Sequence, residues 1–380
     1  MGGGIIGLSV GYHLIRRGQL RVVVLEREAM IGQGATARAT GGMRHQFSTE
    51  ANIRLSKVSI AEYRRFKDQM GVDVEIDPCG YLFVTTSDRM QRQLAASVEL
   101  QHRLGVSSEL VTPQQAQQRL PQLYIDDLVG GAFCREDGSA SPYAALMGYY
   151  QRFLELGGRV ELEEDVVGIE QEQGVVTVRT SRETYQAPAV VDAAGPYADQ
   201  VAALVNVELP AKPFRRQVVV SNPVRELQNP VTDGSTPFLV DLDTGWYLHK
   251  QRDGHLLMGG TDHDTHPGTD EIVDWEQVDA VARAATHRVP ALEEGTVVRV
   301  YVGIRSMTPD DHAILGPVSS VPGFYVAAGL GGHGFMHAPG VGILTSEVIL
   351  DGYASTLDIG PFLLDRFLEP RRENKEPLRF

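Results

Sequence analysis

The first residues of the chain have the spacing to hold a phosphate. Gly2, Gly4 and Gly7 fit G-x-G-x-x-G. In a dinucleotide fold the first glycine allows a tight turn, the second lets backbone approach a pyrophosphate, and the third lets the next helix pack close on the sheet. The N–H groups at that helix start then face the phosphates. A chain with 40 glycines produces such patterns by chance, so context decides. A helical run follows, with Leu8, Val10, Leu14 and Ile15, and stops at Gly18. Residues 22–25 are all apolar and read as a strand ending at Glu26. A carboxylate about 20 residues on is placed to accept from a ribose hydroxyl. Residues 31–47 combine small side chains with Arg38 and Arg44. Small residues let backbone lie against a flat ring system. Arg38 is placed to reach phosphate and Arg44 to meet a carboxylate; the plainer alternative is an ordinary surface loop.

Other elements must hold these groups in place. The fingerprint should follow a strand of roughly five or six residues. Only Met1 precedes it, so the natural chain is expected to begin upstream. Periodicity predicts helices over 49–70, 88–104, 142–156, 197–204, 274–288 and 336–349, and a short one from Thr112-Pro113. Strands are predicted over 80–86, 160–162, from 166, over 175–179 and over 189–195, the last running into a small-residue turn. Residues 217–220, 237–240, 245–249 and 255–259 predict a mixed or antiparallel sheet apart from the nucleotide domain. A strand over 297–303 leads into Arg305-Ser306-Met307-Thr308-Pro309-Asp310, and another over 323–329 enters a glycine-rich turn. The expected fold is α/β. A Rossmann-like domain is assembled from 1–80, 140–212 and 296–380, and a mixed-sheet substrate domain from 81–139 and 213–295.

At 380 residues the chain suits two domains or one elaborate one. A net charge of −14 argues against nucleic acid as a partner and gives no polybasic signal for a membrane. No apolar run approaches the length of about 18 needed for a transmembrane helix. Cys79 and Cys134 form no C-x-x-C, so a reducing cytoplasm is the expected compartment. His249, His263 and His266, near Asp262 and Asp264, match no metal-ligand spacing, and no metal is expected. Residues 369–380 are charge-rich and expected to be mobile.

Five stretches taken in order, 2–7, 34–47, 193–197, 303–310 and 331–336, carry a resemblance that covers nearly the whole chain. They resemble the FAD-dependent D-amino-acid-oxidase-like superfamily, with the sarcosine oxidase β-subunit branch nearest and glycine oxidase more distant. The run Gly331-Gly332-His333-Gly334-Phe335-Met336 is the most specific sign. The resemblance implies bound FAD. Gly2, Gly4, Ile6 and Gly7 would hold its pyrophosphate, and Glu26, with Arg27 beside it, the adenine ribose. Gly34, Ala35, Thr36 and Arg38 would lie near the diphosphate, and Thr40, Gly41, Gly42 and Met43 along the isoalloxazine. Val166 would meet the adenine, with Ala194, Gly195 and Tyr197 toward the ribityl side. Residues 331–336 would sit at the pyrimidine end, where a helix N-terminus offers N–H donors to the negative charge of reduced flavin. His333 acts there or simply caps the turn.

Covalent-flavin relatives use a Cys near the Arg305 stretch or a His near Arg38. Here Gly303 and Arg38-Ala39 stand instead, which implies noncovalent FAD. A lysine tied to oxygen activation has no match in Leu256-Leu257-Met258-Gly259, and Met336 stands where sarcosine-active relatives often carry a lysine. The implied activity is oxidation of an amino acid or N-methyl amino acid, with oxygen or another acceptor taking the electrons. Arg305 and Arg44 are the carboxylate candidates. Tyr247 would close the pocket, and His45 is a further polar contact or a packed histidine. The alternative is a flavoprotein that binds FAD structurally and serves assembly without turnover.

Overall fold

The computed structural model describes residues 1–18, 21–228, 236–260, 266–368, 375, 376 and 378. The fingerprint opens helix α1 (Ile5–Arg16), and strand β1 (Val23–Glu26) follows it. Next come α2 (Glu50–Arg64), β2 (Tyr81–Thr85), β3 (Glu109–Val111) and β4 (Gly130–Cys134). The middle of the chain supplies α3 (Pro142–Glu155), β5 (Arg159–Leu162), β6 (Val190–Asp192) and β7 (Lys212–Ser221). Then follow β8 (Phe238–Asp241), β9 (Tyr247–Lys250), β10 (Leu256–Gly259) and α4 (Trp275–Arg288). The chain continues with β11 (Val297–Met307), β12 (Ile314–Pro317), β13 (Phe324–Ala328) and α5 (Gly334–Asp351).

Parallel pairing marks the nucleotide side. β1 pairs with β5, and β6 with β13, both in parallel; β12 adds to β13 antiparallel. Met1 and Gly2 lie between the two groups: the Met1 amine donates to Val191 O, and the Gly2 N–H donates to Leu25 O. Helices α1, α3 and α5 cover these strands. All three share an apolar cluster built around Leu8, Tyr149 and Phe335, and α1 and α5 share a second around Leu14, Val341 and Leu344. The second layer is an eight-stranded sheet in the order β11-β7-β10-β9-β8-β2-β4-β3. Its pairs are antiparallel except β8 with β2. Helix α4 covers one face through Val278, Val281 and Ala285.

Three expectations change. The helix predicted over 49–70 breaks at Arg65 into Glu50–Arg64 and Phe66–Met70. The strand predicted to end at Gly303 runs on to Met307, because Phe214 and Arg215 continue to pair with Arg305 and Ile304. Arg305 therefore lies within the strand instead of just after it. On strand pairing, residues 297–307 go with the eight-stranded sheet, and we propose that the boundary placed at 296 falls after Met307 instead. Of the tail expected to be mobile, Glu376 and Leu378 are 1% and 0% exposed. His263, Asp262 and Asp264 lie outside the described residues.

Candidate active site

The two layers enclose a cavity of about 690 Å³. At one end the fingerprint turn meets the tip of β1. Gly2 has φ +107°, and a Cβ on Gly7 would stand 2.0 Å from Gly2 O, so α1 starts as close to the turn as backbone allows. The N-cap Gly4 brings no side-chain cap and the first turn no acidic residue. The helix start is thereby left to an anion. The Ile5 N–H donates to Thr36 Oγ1 at 3.1 Å. Glu26 accepts from the Gly3 N–H (2.6 Å) and the Glu28 N–H (2.9 Å). It both braces the turn and presents carboxylate lone pairs to the cavity that it lines. Arg27 lies over the Tyr197 ring at 3.7 Å, closing that end.

At the other end, β11 faces the glycine-rich start of α5. A Cβ on Gly332 would come within 2.8 Å of Arg305 Nη1, which places the guanidinium directly beside the turn. Tyr247 stands in an aromatic row. Tyr81 stacks on Phe238 at 4.2 Å, and Phe238 on Tyr247 at 5.7 Å. Burial drives the His333 pKa well below its ordinary value, with His337 and Arg44 adding to the effect, so the ring is neutral. Asp310, which follows β11, accepts from Arg366 at 2.8 and 3.1 Å.

Most of the residues singled out in the sequence line this one cavity. They are Gly2, Gly4, Ile6, Glu26, Arg27, Gly34, Ala35, Thr36, Arg38, Thr40, Gly41, Gly42, Arg44, Val166, Ala194, Gly195, Tyr197, Tyr247, Arg305 and 331–336. Gly7, Met43 and His45 do not line it. Gly7 packs beneath the turn. Met43 is 3% exposed within the core under α1. His45 is buried against Asp137, which accepts from its N–H at 2.7 Å and lies 2.7 Å from its Nδ1. Cys134 joins this pair, with ligand atoms within 4.8 Å of one another, but Asp137 also accepts from Gln46. The cluster therefore closes on itself. Arg38 lines the cavity yet donates to Val302 O and Glu271, tying the turn to the eight-stranded sheet. Arg44 donates to Gln46 O at 2.6 Å and Leu378 O at 2.9 Å, and lies 4.0 Å from the Phe47 centroid.

The cavity also contains residues that the sequence reading passed over. Tyr81 and Phe238 face it from neighbouring strands in register. Arg216 faces it too; it lies two residues from Phe214, the partner of Arg305, and so on the same sheet face. Strand alternation around Arg305 was the signal that could have found Arg216. Ser306 lines the cavity as well.

The donor set fits an extended dinucleotide with a flat ring. One end offers a bare helix start, the middle a small-residue channel, and the far end two buried polar atoms without partners, Ser306 Oγ and His333 Nδ1. Among the described residues, no helix is long and apolar enough to cross a membrane.

The family described as DAO, FAD dependent oxidoreductase, matches residues 1–348. The chain is 28% identical to FAD-dependent oxidoreductase domain-containing protein 1 of Bos taurus, over 97% of this chain and 84% of that protein. It is also 28% identical to glycine oxidase of Geobacillus kaustophilus, over 97% of this chain and 96% of that protein. Among solved structures, L-proline dehydrogenase from P. horikoshii superposes with a TM-score of 0.89 at 27% identity, covering 97% of this chain and 96% of that one.

Proposed function

Because this chain belongs to the DAO family of FAD dependent oxidoreductases, we propose that it oxidises the C–N bond of an amino acid or N-methyl amino acid of glycine, sarcosine or proline size. The broader statement stands plainly: it is an FAD-dependent oxidoreductase of the amino-acid oxidase or dehydrogenase type. The finer reading is carried by the meeting of Arg305 and Tyr247, from the eight-stranded sheet, with residues 331–336 in one cavity.

FAD, when bound, would supply a two-electron acceptor for hydride from the α- or N-methyl carbon of the neutral amine, the resulting iminium being hydrolysed by water. The chain's own residues do the rest. Gly2, Gly4 and Ile6 at the start of α1 would hold the pyrophosphate, and Glu26 the ribose. Arg305 would fix the substrate carboxylate through its two-pronged donor face and thereby aim the C–H bond. The aromatic row of Tyr81, Phe238 and Tyr247 excludes water from that side. A neutral His333 sets no like charge beside the iminium that forms.

The test is anaerobic mixing of the purified yellow protein with N-methyl amino acids, D-amino acids, proline and hydroxyproline. Bleaching of the flavin band by one of these is the expected result. No bleaching by any amine would leave a flavoprotein without turnover. We also propose that the FAD is noncovalent, since Gly303 and Ala39 offer no attachment atom. Acid precipitation should leave all colour in the supernatant, and a yellow pellet would reverse this.

A further inference from the structure

Two residues from the far end of the chain, Glu376 and Leu378, line the same cavity. Their contacts are specific. The Glu376 carboxylate accepts from the Ser48 N–H at 3.1 Å, from the hydroxyls of Ser48 and Thr49, and from Asn52 Nδ2 at 3.4 Å. These donors lead into and open α2, where the helix dipole favours a negative group. The Glu376 N–H donates to Asp310 O at 3.1 Å. The Leu378 N–H then donates to Glu376 Oε1 at 3.1 Å, and the Leu378 carbonyl accepts from Arg44 Nη2 at 2.9 Å. The Leu378 side chain, fully buried, packs in the cluster that holds Tyr81, Phe83, Phe238 and Tyr247. A carboxylate with that many protein donors is part of the fold, because unpaired it would not remain buried.

We propose that Leu378 is a specificity-determining wall of the substrate pocket. Glu376 and Arg44 lock it in place, and its isobutyl group takes up room in the aromatic row that a larger substrate side chain would need. This rests on the amine-oxidising reading above. It also gives Arg44 a positioning role. The Arg44 charge faces Glu376 and Asp137, and it donates to the carbonyls of Gln46 and Leu378.

The test compares wild type with Leu378→Ala and with Leu378→Met, which conserves volume. The ratio of kcat/KM for leucine-sized over glycine-sized substrates should rise about tenfold or more in the alanine variant, as removing methylenes from a pocket wall allows. Leu378→Met should keep the wild-type ratio. A readout without turnover uses carboxylate ligands of graded size, from acetate to isovalerate, titrated against the oxidised flavin band. The larger ligands should tighten in Leu378→Ala. Glu376→Ala should give the same shift, and Glu376→Gln, which keeps one accepting oxygen, a smaller one. An unchanged ligand ranking in a Leu378→Ala protein fully loaded with flavin overturns the proposal. So does a protein lacking residues 369–380 that turns over every amine faster with the ranking intact, since the segment would then be a cover and not a wall. If no amine bleaches the flavin but the ligand ranking shifts as stated, the oxidation reading fails and the wall stands.

Discussion

Arg305 and Arg44 bring the same charge to the same cavity and have different surroundings. Arg305 sits on a strand face beside Gly332, at the glycine-rich turn that begins α5. Arg44 is buried, holds the carbonyls of Gln46 and Leu378, and has its pKa pushed down by that burial. Two substitutions separate them. Arg305→Met should leave flavin content normal and lower kcat/KM for an amino acid by roughly 10²–10³ or more, because loss of a buried charge partner costs about 3–5 kcal/mol. A substrate analogue without the carboxylate should lose far less. Arg44→Met should lower the melting temperature and depress acid and non-acid substrates alike. Equal losses for both substrate types in Arg305→Met would refute the clamp, and a carboxylate-selective loss in Arg44→Met would transfer it there.

The turn into α1 is the element on which cofactor retention should hang. The Gly2 N–H is tied to Leu25 O at 2.7 Å, Glu26 braces the Gly3 N–H, and the helix begins against Gly2 O. A methyl on Gly7 has nowhere to go, since the atom it meets is backbone. Gly7→Ala must push α1 away from the turn, and with it the packing of α1 on α3 and α5. Overpacking of this kind costs about 1–3 kcal/mol or more. The expected result is a protein that purifies with little flavin and melts several degrees lower. Gly268→Ala, where a Cβ meets nothing within 4 Å, is the control. Full flavin loading in Gly7→Ala would mean the turn does not set the binding geometry.

Over the whole molecule, buried histidines make stability depend on pH. His13 on α1, His249 on β9 and His337 on α5 are pushed down to about 3, 4 and 3, chiefly by burial. A histidine neutral in the fold and able to protonate when unfolded stabilises fully above its ordinary value near 6.5. That contribution is lost as pH falls toward the folded value. Asp192, raised to about 7 by burial, acts in the opposite sense, stabilising most at low pH. His333, driven down in the same way, adds to them. The four histidines outweigh the one carboxyl, so stability should fall by an amount on the order of 2–4 kcal/mol per pH unit near pH 5. Urea denaturation at pH 7 and pH 5 checks this; a midpoint that holds or rises on acidification would contradict it.

The sequence by itself determined what lies within a few residues of its cause. The fingerprint glycines, the acidic end of β1, the capped helix start at Thr112 and the helix after Gly331-Gly332-His333 are all local matters of turn geometry and period. The resemblance to a flavin family rested on such local stretches, and for that reason it could be read. Tertiary structure alone decided which side chains share a space. Arg305 became a strand residue because Lys212–Ser221, about 90 residues earlier, pairs along it. His45 left the site because Asp137 was there to hold it, and Tyr81 and Phe238 entered it because their strands lie in register. Glu376 and Leu378 looked like a charged tail until Ser48, Asn52 and Arg44 were seen to receive them. Periodicity records which face of an element is apolar. It does not record which distant element meets that face, because the meeting is set by long-range hydrogen bonding and packing.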